Sequence, residues 1–382
     1  MAGYLVNLSN IESLEKCISD GLYSTILSSP KGFWNTPQEA TCCDYSTMRP
    51  GDNIYFFLER KVYGIGELVG LEGDCKFLNY PGANSPYAVK YADTKPQLLM
   101  DVGKGSINQR WLCVFKPSPM FFLQGIDMDD LLASNPDAFK MLRAFWKVSF
   151  IKLADVENQA FKEALIRLNE GTLVSGKKDC FKSDYHKIHT AMGTRITAGH
   201  RFNVEKILAN AEDGAHLRHE MALELGLLYQ LSNPVAYPGT ADVFGRWDYL
   251  SHQVIASPFK PIDYMDKMDV FGYSYVKDYP SIKSKYLVVE LKKGECEVED
   301  VDQLLKYVDW IKEEYAFDDY SMIRAFLVGT NINASVKAHA KNNANRKFTI
   351  GHRPARSCLW DDLTLVQYSY NSASKRIDFQ VV

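Results

Sequence analysis

Residues 286–291 constrain the fold of this chain more than any other segment. They read YLVVEL, an almost unbroken apolar run in which Glu290 is the one charged residue. Runs of this kind are typical of strands that are buried on both faces of a sheet. An amphipathic helix over residues 301–315 and a short apolar strand over 323–328 are predicted to follow. The C-terminal half is therefore predicted to be an α/β core, a mixed sheet flanked by helices.

Two charged residues close this apolar run. Glu290 and Lys292 are two positions apart, so their side chains lie on the same face of a strand. Burying a carboxylate and an ammonium costs several kcal/mol unless they serve each other or a metal. Upstream, Asp269 begins a second strand, and hairpin pairing would place it beside Glu290. Two such carboxylates repel unless a cation lies between them, and Mg²⁺, for which Mn²⁺ commonly substitutes, suits carboxylates and water.

At this point the sequence resembles a known family. Asp269, the triplet Glu290-Leu291-Lys292 and a helix that carries Gln303 are similar to the PD-(D/E)XK, or restriction-endonuclease-like, nucleases, over roughly residues 200–330. The resemblance implies that Asp269 and Glu290 bind the metal, that Lys292 assists the attacking water, and that Gln303 supports the site. It also implies phosphodiester hydrolysis, for which a metal-bound water is the nucleophile.

The sequence does not decide which residues fill some positions of this site. In the family an acidic residue on the preceding helix often completes the metal site, and Glu220 is favoured here over Glu224. Asp263 and Asp266 are rivals of Asp269 for the metal-binding Asp. The structural alternatives are that Glu290 and Lys292 merely pair at a strand end, and that the other residues lie on solvated helix faces.

The first part of the chain contains a predicted β-hairpin. Its strands cover residues 54–58 and 62–69, and a Pro-Gly-Asp turn precedes the first strand. This pattern resembles the EVE/YTH branch of PUA-like domains, over about residues 1–150, which implies a β-barrel-type module with helices that reads a modified base. Aromatic side chains can stack such a base. Trp34 and Trp111 are the preferred walls of the cage, with Tyr63 as the third.

Composition and charge limit the remaining possibilities. A net charge of -3 argues against a protein that coats nucleic acid with its whole surface, although local basic segments are present. The 8 cysteines lack zinc-site spacing. The sequence predicts a reader over residues 1–160, a basic linker over 161–201 and a nuclease domain over 202–382. Without a signal-peptide pattern or an apolar run of about 20 residues, we expect a cytoplasmic protein with no membrane partner.

A base reader joined to a nuclease is the architecture of modification-dependent restriction enzymes. The resemblance therefore implies an endonuclease that defends against foreign, base-modified double-stranded DNA, and many such nucleases act as homodimers. One alternative is a sequence- or structure-specific DNA endonuclease without modified-base recognition. Another is a nucleic-acid-binding protein that does not cut.

Overall fold

The structure is a computed structural model that describes residues 1–27, 32–139, 150–175, 179–256 and 266–382. The helices are α1 Ile11–Asp20, α2 Thr36–Thr47, α3 Tyr91–Thr94, α4 Met128–Ser134, α5 Asp155–Leu168, α6 Glu170–Ser175, α7 Tyr185–Gly193, α8 Glu205–Asn210, α9 Glu220–Ser232, α10 Pro238–Phe244, α11 Val298–Glu314 and α12 Ala334–Asn343. The strands are β1 Gly3–Asn7, β2 Leu22–Ile26, β3 Asn53–Leu58, β4 Lys61–Leu68, β5 Lys76–Leu78, β6 Gln109–Pro117, β7 Ile126–Asp127, β8 Phe150–Leu153, β9 Glu212–Asp213, β10 His216–Leu217, β11 Tyr249–Ile255, β12 Lys267–Val276, β13 Tyr279–Leu291, β14 Ile323–Gly329, β15 Arg346–Ile350, β16 Arg356–Trp360, β17 Leu363–Asn371 and β18 Arg376–Val381. The chain is therefore a mixed α/β protein with several sheets, and no helix of the described ranges is long and apolar enough to cross a bilayer.

The chain divides into two compact units, and both are discontinuous in sequence. Unit 1 comprises residues 1–34 and 48–203, and unit 2 comprises residues 35–47 and 204–382. The division near residue 203 lies close to the predicted start of the nuclease domain. It differs from the sequence prediction in two respects. Residues 161–201 belong to unit 1 instead of forming a separate linker, and α2 belongs to unit 2.

Unit 1 is built on one mixed sheet. Its strands lie in the order β2-β6-β4-β3-β1-β8, with β5 beside β6 and β7 beside β4. The predicted hairpin is present as β3 and β4, and its turn places Glu59 and Arg60 at positive φ, as a tight hairpin turn requires. Helix α5 packs on this sheet through Phe161 and Leu165, which share a buried cluster with Tyr55. That packing explains why α5 belongs to unit 1 and is not part of a linker.

Unit 2 contains the sheet that positions the candidate site. Its strands lie in the order β11-β12-β13-β14-β17-β18. The hairpin partners β12 and β13 are antiparallel, whereas β13, β14 and β17 run parallel. β13 is an interior strand and its residues 286–291 are all buried, as the apolar run predicted. The predicted strand over 323–328 and the predicted helix over 301–315 are present as β14 and α11.

A glycine in β12 allows β11 to approach closely. A Cβ atom built on Gly272 would lie 2.7 Å from the backbone oxygen of Tyr249 and 3.1 Å from Cδ2 of Leu250. Because the backbone of a paired strand cannot easily move away from the added methyl group, we expect Gly272→Ala to lower the free energy of unfolding by about 1–3 kcal/mol. Urea denaturation measures this change. The control is Gly239→Ala in α10, where nothing lies within 4 Å of the added Cβ, and an equal loss there would contradict the packing argument.

Candidate active site

The ends of β12 and β13 bring together the three residues that the sequence singled out. Val270 pairs with Val289, so the next antiparallel position places Asp269 beside Glu290. Oδ2 of Asp269 accepts a hydrogen bond of 2.7 Å from the backbone N–H of Leu291. Nζ of Lys292 donates to Oε1 of Glu290 at 2.7 Å. The hairpin therefore holds two carboxylates and one ammonium at the same end of the sheet.

Both carboxylates are removed from water. Glu290 is 1% exposed and Asp269 is 7% exposed. Burial raises the pKa of Glu290 to about 7, although the Lys292 ammonium opposes the rise. Burial, together with the Glu290 and Glu224 carboxylates, holds the pKa of Asp269 well above its usual range. The negative charge of this pair is poorly compensated by the protein, and a bound cation would stabilise it.

Lys292 lies between two acids. Besides the bond to Glu290, its Nζ is 3.5 Å from Oδ1 of Asp300 in the first turn of α11. Burial alone would lower the pKa of Lys292, but the Glu290 and Asp300 carboxylates outweigh this effect and raise it. The side chain is therefore an ammonium at neutral pH. Asp300 was not recognisable from the sequence as part of the site, because an acidic residue in the first turn of a helix is also typical of ordinary capping.

Gln303 lies on α11 and donates to a tyrosine. Its Nε2 is 2.7 Å from the hydroxyl oxygen of Tyr307, one turn later. Burial is the main cause that raises the pKa of Tyr307, and the Glu290 and Asp269 carboxylates add to the rise. Tyr307 is thus within electrostatic reach of both carboxylates, and Gln303 orients its hydroxyl group. Tyr307 was not recognisable from the sequence, because its position fits the apolar face of the helix.

The two acids on α9 occupy different environments. Glu224 is 1% exposed. Its Oε1 accepts a hydrogen bond of 2.8 Å from Nε2 of Gln253, and its Oε2 lies 3.4 Å from Nδ1 of His252. Glu220 is half-buried one turn earlier, and its charge raises the pKa values of both Asp269 and Glu290. Glu220 therefore acts electrostatically on both carboxylates and Glu224 on that of Asp269, but Glu224 already has protein partners.

A buried histidine continues this network. Nε2 of His252 is 3.5 Å from Oδ1 of Asp44 in α2. Burial alone would lower the pKa of His252, but the Asp44 and Glu224 carboxylates outweigh it and raise the value to about 10. His252 is therefore a buried imidazolium at neutral pH. No sequence pattern pointed to it, since Asp44 is distant in the chain.

Of the two rival aspartates, Asp266 is exposed and Asp263 lies outside the described residues. Asp266 is exposed just before β12 begins, and its backbone oxygen accepts a bond from the N–H of Ala256. Asp263 lies outside the residues that the structure describes. In the described part of the chain, no three His, Cys, Asp or Glu side chains are gathered closely enough to form a ready-made metal site.

The aromatic residues predicted to hold a base do not form one cage. The ring centroids of Trp34 and Trp111 are 5.6 Å apart, a separation typical of direct packing, which leaves no room for a base between them. The indole N–H of Trp34 donates to the backbone oxygen of Asn84. Both tryptophans are buried. Tyr63 instead packs against Phe181, with ring centroids 6.2 Å apart.

Comparisons with known proteins give partial similarities. No protein-family model matches the chain, and no curated protein matches it. A structure described as an EndoMS–dsDNA2 complex is 26% identical over 22% of this chain and 30% of that chain, with a TM-score of 0.16. A repair endonuclease from Pyrococcus abyssi is 27% identical over 35% of this chain and 46% of that chain, with a TM-score of 0.21. The matched segments span less than half of either protein.

Proposed function

We propose that the chain is a metal-dependent DNA endonuclease whose catalytic residues are Asp269, Glu290 and Lys292. One observation carries the proposal. Oε1 of Glu290 accepts from Lys292, but its Oε2 is buried and has no hydrogen-bond partner among the described residues. A buried, unpaired carboxylate oxygen costs free energy that evolution tolerates where the atom has a task. Binding a divalent cation is the task that this atom fits.

The donor set suits Mg²⁺. This ion is commonly held by one or two carboxylates, with water and substrate phosphate as its other ligands. Asp269 and Glu290 would supply the carboxylates. We assign the third acidic position to Glu220, because Glu224 is already engaged by His252 and Gln253. Mn²⁺ is also a hard cation with the same ligand preference and is expected to substitute.

The cation and the residues around it would have separate roles in the reaction. When bound, the cation would lower the pKa of a water molecule and neutralise charge that develops on the phosphate. Lys292 carries its proton at neutral pH, so it donates a hydrogen bond to a phosphate oxygen or to the attacking water and does not act as a base. Gln303 donates to the Tyr307 hydroxyl, which lies within electrostatic reach of the carboxylates.

The second part of the proposal concerns the substrate. We infer that the chain is a modification-dependent restriction enzyme of the cytoplasm that acts on base-modified double-stranded DNA as a homodimer. The support is the sequence pattern over residues 1–150 that resembles EVE/PUA-like readers, together with the β3–β4 hairpin, which that pattern predicted.

Digestion of DNA tests both the proposed endonuclease activity and the proposed recognition of modified bases. Wild-type protein with Mg²⁺ is expected to cut phage DNA that contains modified cytosine or adenine and to spare the same DNA without modification. Lys292→Ala is the inactive control. Equal cutting of both DNAs would leave the endonuclease and remove modified-base recognition. Retained binding on a gel without any cutting, in Mg²⁺ and in Mn²⁺, would identify a non-catalytic nucleic-acid-binding protein and overturn the proposal.

A further inference from the structure

Strand β11 has an unusual backbone at Gln253. Its neighbours are in regular antiparallel register, with His252 opposite Val270 and Val254 opposite Met268. Gln253 itself has a φ of 52°, in the left-handed region that side chains other than glycine seldom adopt. Such residues persist where the surrounding contacts require them, and they cluster at functional sites.

The left-handed residue changes where two adjacent side chains point. In a regular strand, successive side chains project to opposite faces. Here both His252 and Gln253 reach the same carboxylate, that of Glu224. Nδ1 of His252 is 3.4 Å from Oε2, and Nε2 of Gln253 is 2.8 Å from Oε1. The two oxygens of this buried acid are therefore oriented by two consecutive residues of β11.

Gln253 also joins this acid to the proposed metal ligand. The same Nε2 that donates to Glu224 is 3.3 Å from Oδ1 of Asp269. The other oxygen of Asp269 accepts from the N–H of Leu291. One amide nitrogen therefore bridges the two carboxylates, and with the Leu291 N–H it determines the orientation of Asp269.

His252 is fixed in turn by α2. Its Nδ1 faces Glu224 and its Nε2 faces Asp44, at 3.5 Å. A second ion pair also connects α2 to α9. Nδ1 of His219, the residue before α9, lies 3.1 Å from Oε2 of the buried Glu39 in α2. Helix α2 thus supplies two buried acids to unit 2, and one of them holds His252.

We propose that Gln253 and His252 are positioning residues of the nuclease site, and that Asp44 anchors them from α2. Gln253 orients Asp269 towards the cation, and Glu224 holds both residues, as the hydrogen-bond acceptor of Gln253 and the ion-pair partner of His252. The inference rests on the proposed function, because it assigns Asp269 to a metal ion. Partners behind metal ligands of this kind commonly change metal affinity by about 10- to 100-fold when they are removed.

Titration calorimetry with Mn²⁺ on the full-length protein tests the inference. Gln253→Gly keeps the left-handed backbone available and removes the amide, so it is expected to raise the Mn²⁺ dissociation constant by about 10- to 100-fold. The matched control is Lys375→Gly, which makes the same backbone change at another residue of positive φ, 55°, and it is expected to bind as the wild type does. Asp44→Asn, which keeps the shape of the side chain, is expected to weaken binding by a smaller factor. Thermal unfolding monitored by circular dichroism establishes that each variant is folded.

The outcomes separate the inference from the proposed function. A folded Gln253→Gly protein that binds Mn²⁺ as tightly as the wild type, while the wild type cuts DNA, overturns the inference alone. If Gln253→Gly does not fold, unchanged Mn²⁺ affinity of Asp44→Asn overturns it. Wild-type protein that binds Mn²⁺ but cuts no DNA overturns the nuclease proposal and leaves the positioning role standing. Wild-type protein that binds no Mn²⁺ overturns both.

Discussion

Asp269→Asn is expected to reduce DNA cleavage by at least about 10³-fold, because it removes one of two carboxylates that would hold the cation at the reacting phosphate. The substitution keeps an oxygen that accepts from the Leu291 N–H. It also removes a charge whose pKa is raised by burial and by Glu290 and Glu224, so the protein is expected to remain folded. Initial rates on a labelled duplex under single-turnover conditions measure the loss.

The control for this substitution is Asp266→Asn, which makes the same chemical change three residues earlier, at an exposed position. Cleavage by this variant is expected to equal that of the wild type, and DNA binding is expected to be retained in both. If Asp266→Asn is the inactive protein and Asp269→Asn cuts normally, the metal-binding aspartate has been assigned to the wrong residue. Normal cutting by both would remove this aspartate from the mechanism.

The second large effect is stabilisation by divalent cations. In the folded protein burial raises the pKa of both the Asp269 and the Glu290 carboxylates, and the Glu290 charge raises that of Asp269 further. A cation that binds only the folded state stabilises it by about 2.7 kcal/mol when its concentration is 100 times the dissociation constant. We therefore expect Mg²⁺ to raise the unfolding temperature relative to protein in EDTA, as differential scanning calorimetry would show.

Asp269→Asn provides the matched comparison for the metal effect. With one carboxylate neutral, the repulsion is relieved without a cation, so Mg²⁺ is expected to shift the unfolding temperature of this variant much less. Sodium chloride at the same ionic strength controls for general screening. An equal Mg²⁺ shift in the wild type and in Asp269→Asn would show that the ion stabilises the protein elsewhere, and it would contradict the proposed ligand set.

The centre of unit 2 could be predicted because its pattern is local. The apolar run of β13 indicates an interior strand whatever its neighbours are, and the spacing in residues 301–315 indicates one face of α11. The expected juxtaposition of Asp269 and Glu290 required only one more assumption, a hairpin between adjacent strands. Catalytic roles for these residues stay predictions, since position alone does not establish chemistry.

Other parts of the structure depend on contacts that no local pattern encodes. Helix α12 ends at Asn343, and strand β15 begins at Arg346. The left-handed Gln253 and the distant Asp44 partner of His252 follow from tertiary packing. The same holds for Trp34 and Trp111, whose aromatic character indicated a base-binding cage, whereas in the structure the two rings pack directly against each other.

The discontinuity of unit 2 has a consequence for synthesis on the ribosome. Helix α2 leaves the exit tunnel early, but its packing partners α9 and β11 emerge only after residues 48–203 have been made. Until then Cys42, Cys43 and Tyr45, all fully buried in the finished protein, have no unit to pack into. N-terminal segments generally fold first, and exposed apolar surface promotes aggregation. A nascent chain stalled near residue 203 would therefore expose the apolar residues of α2. Chaperones that bind exposed apolar surface would favour completion of the fold.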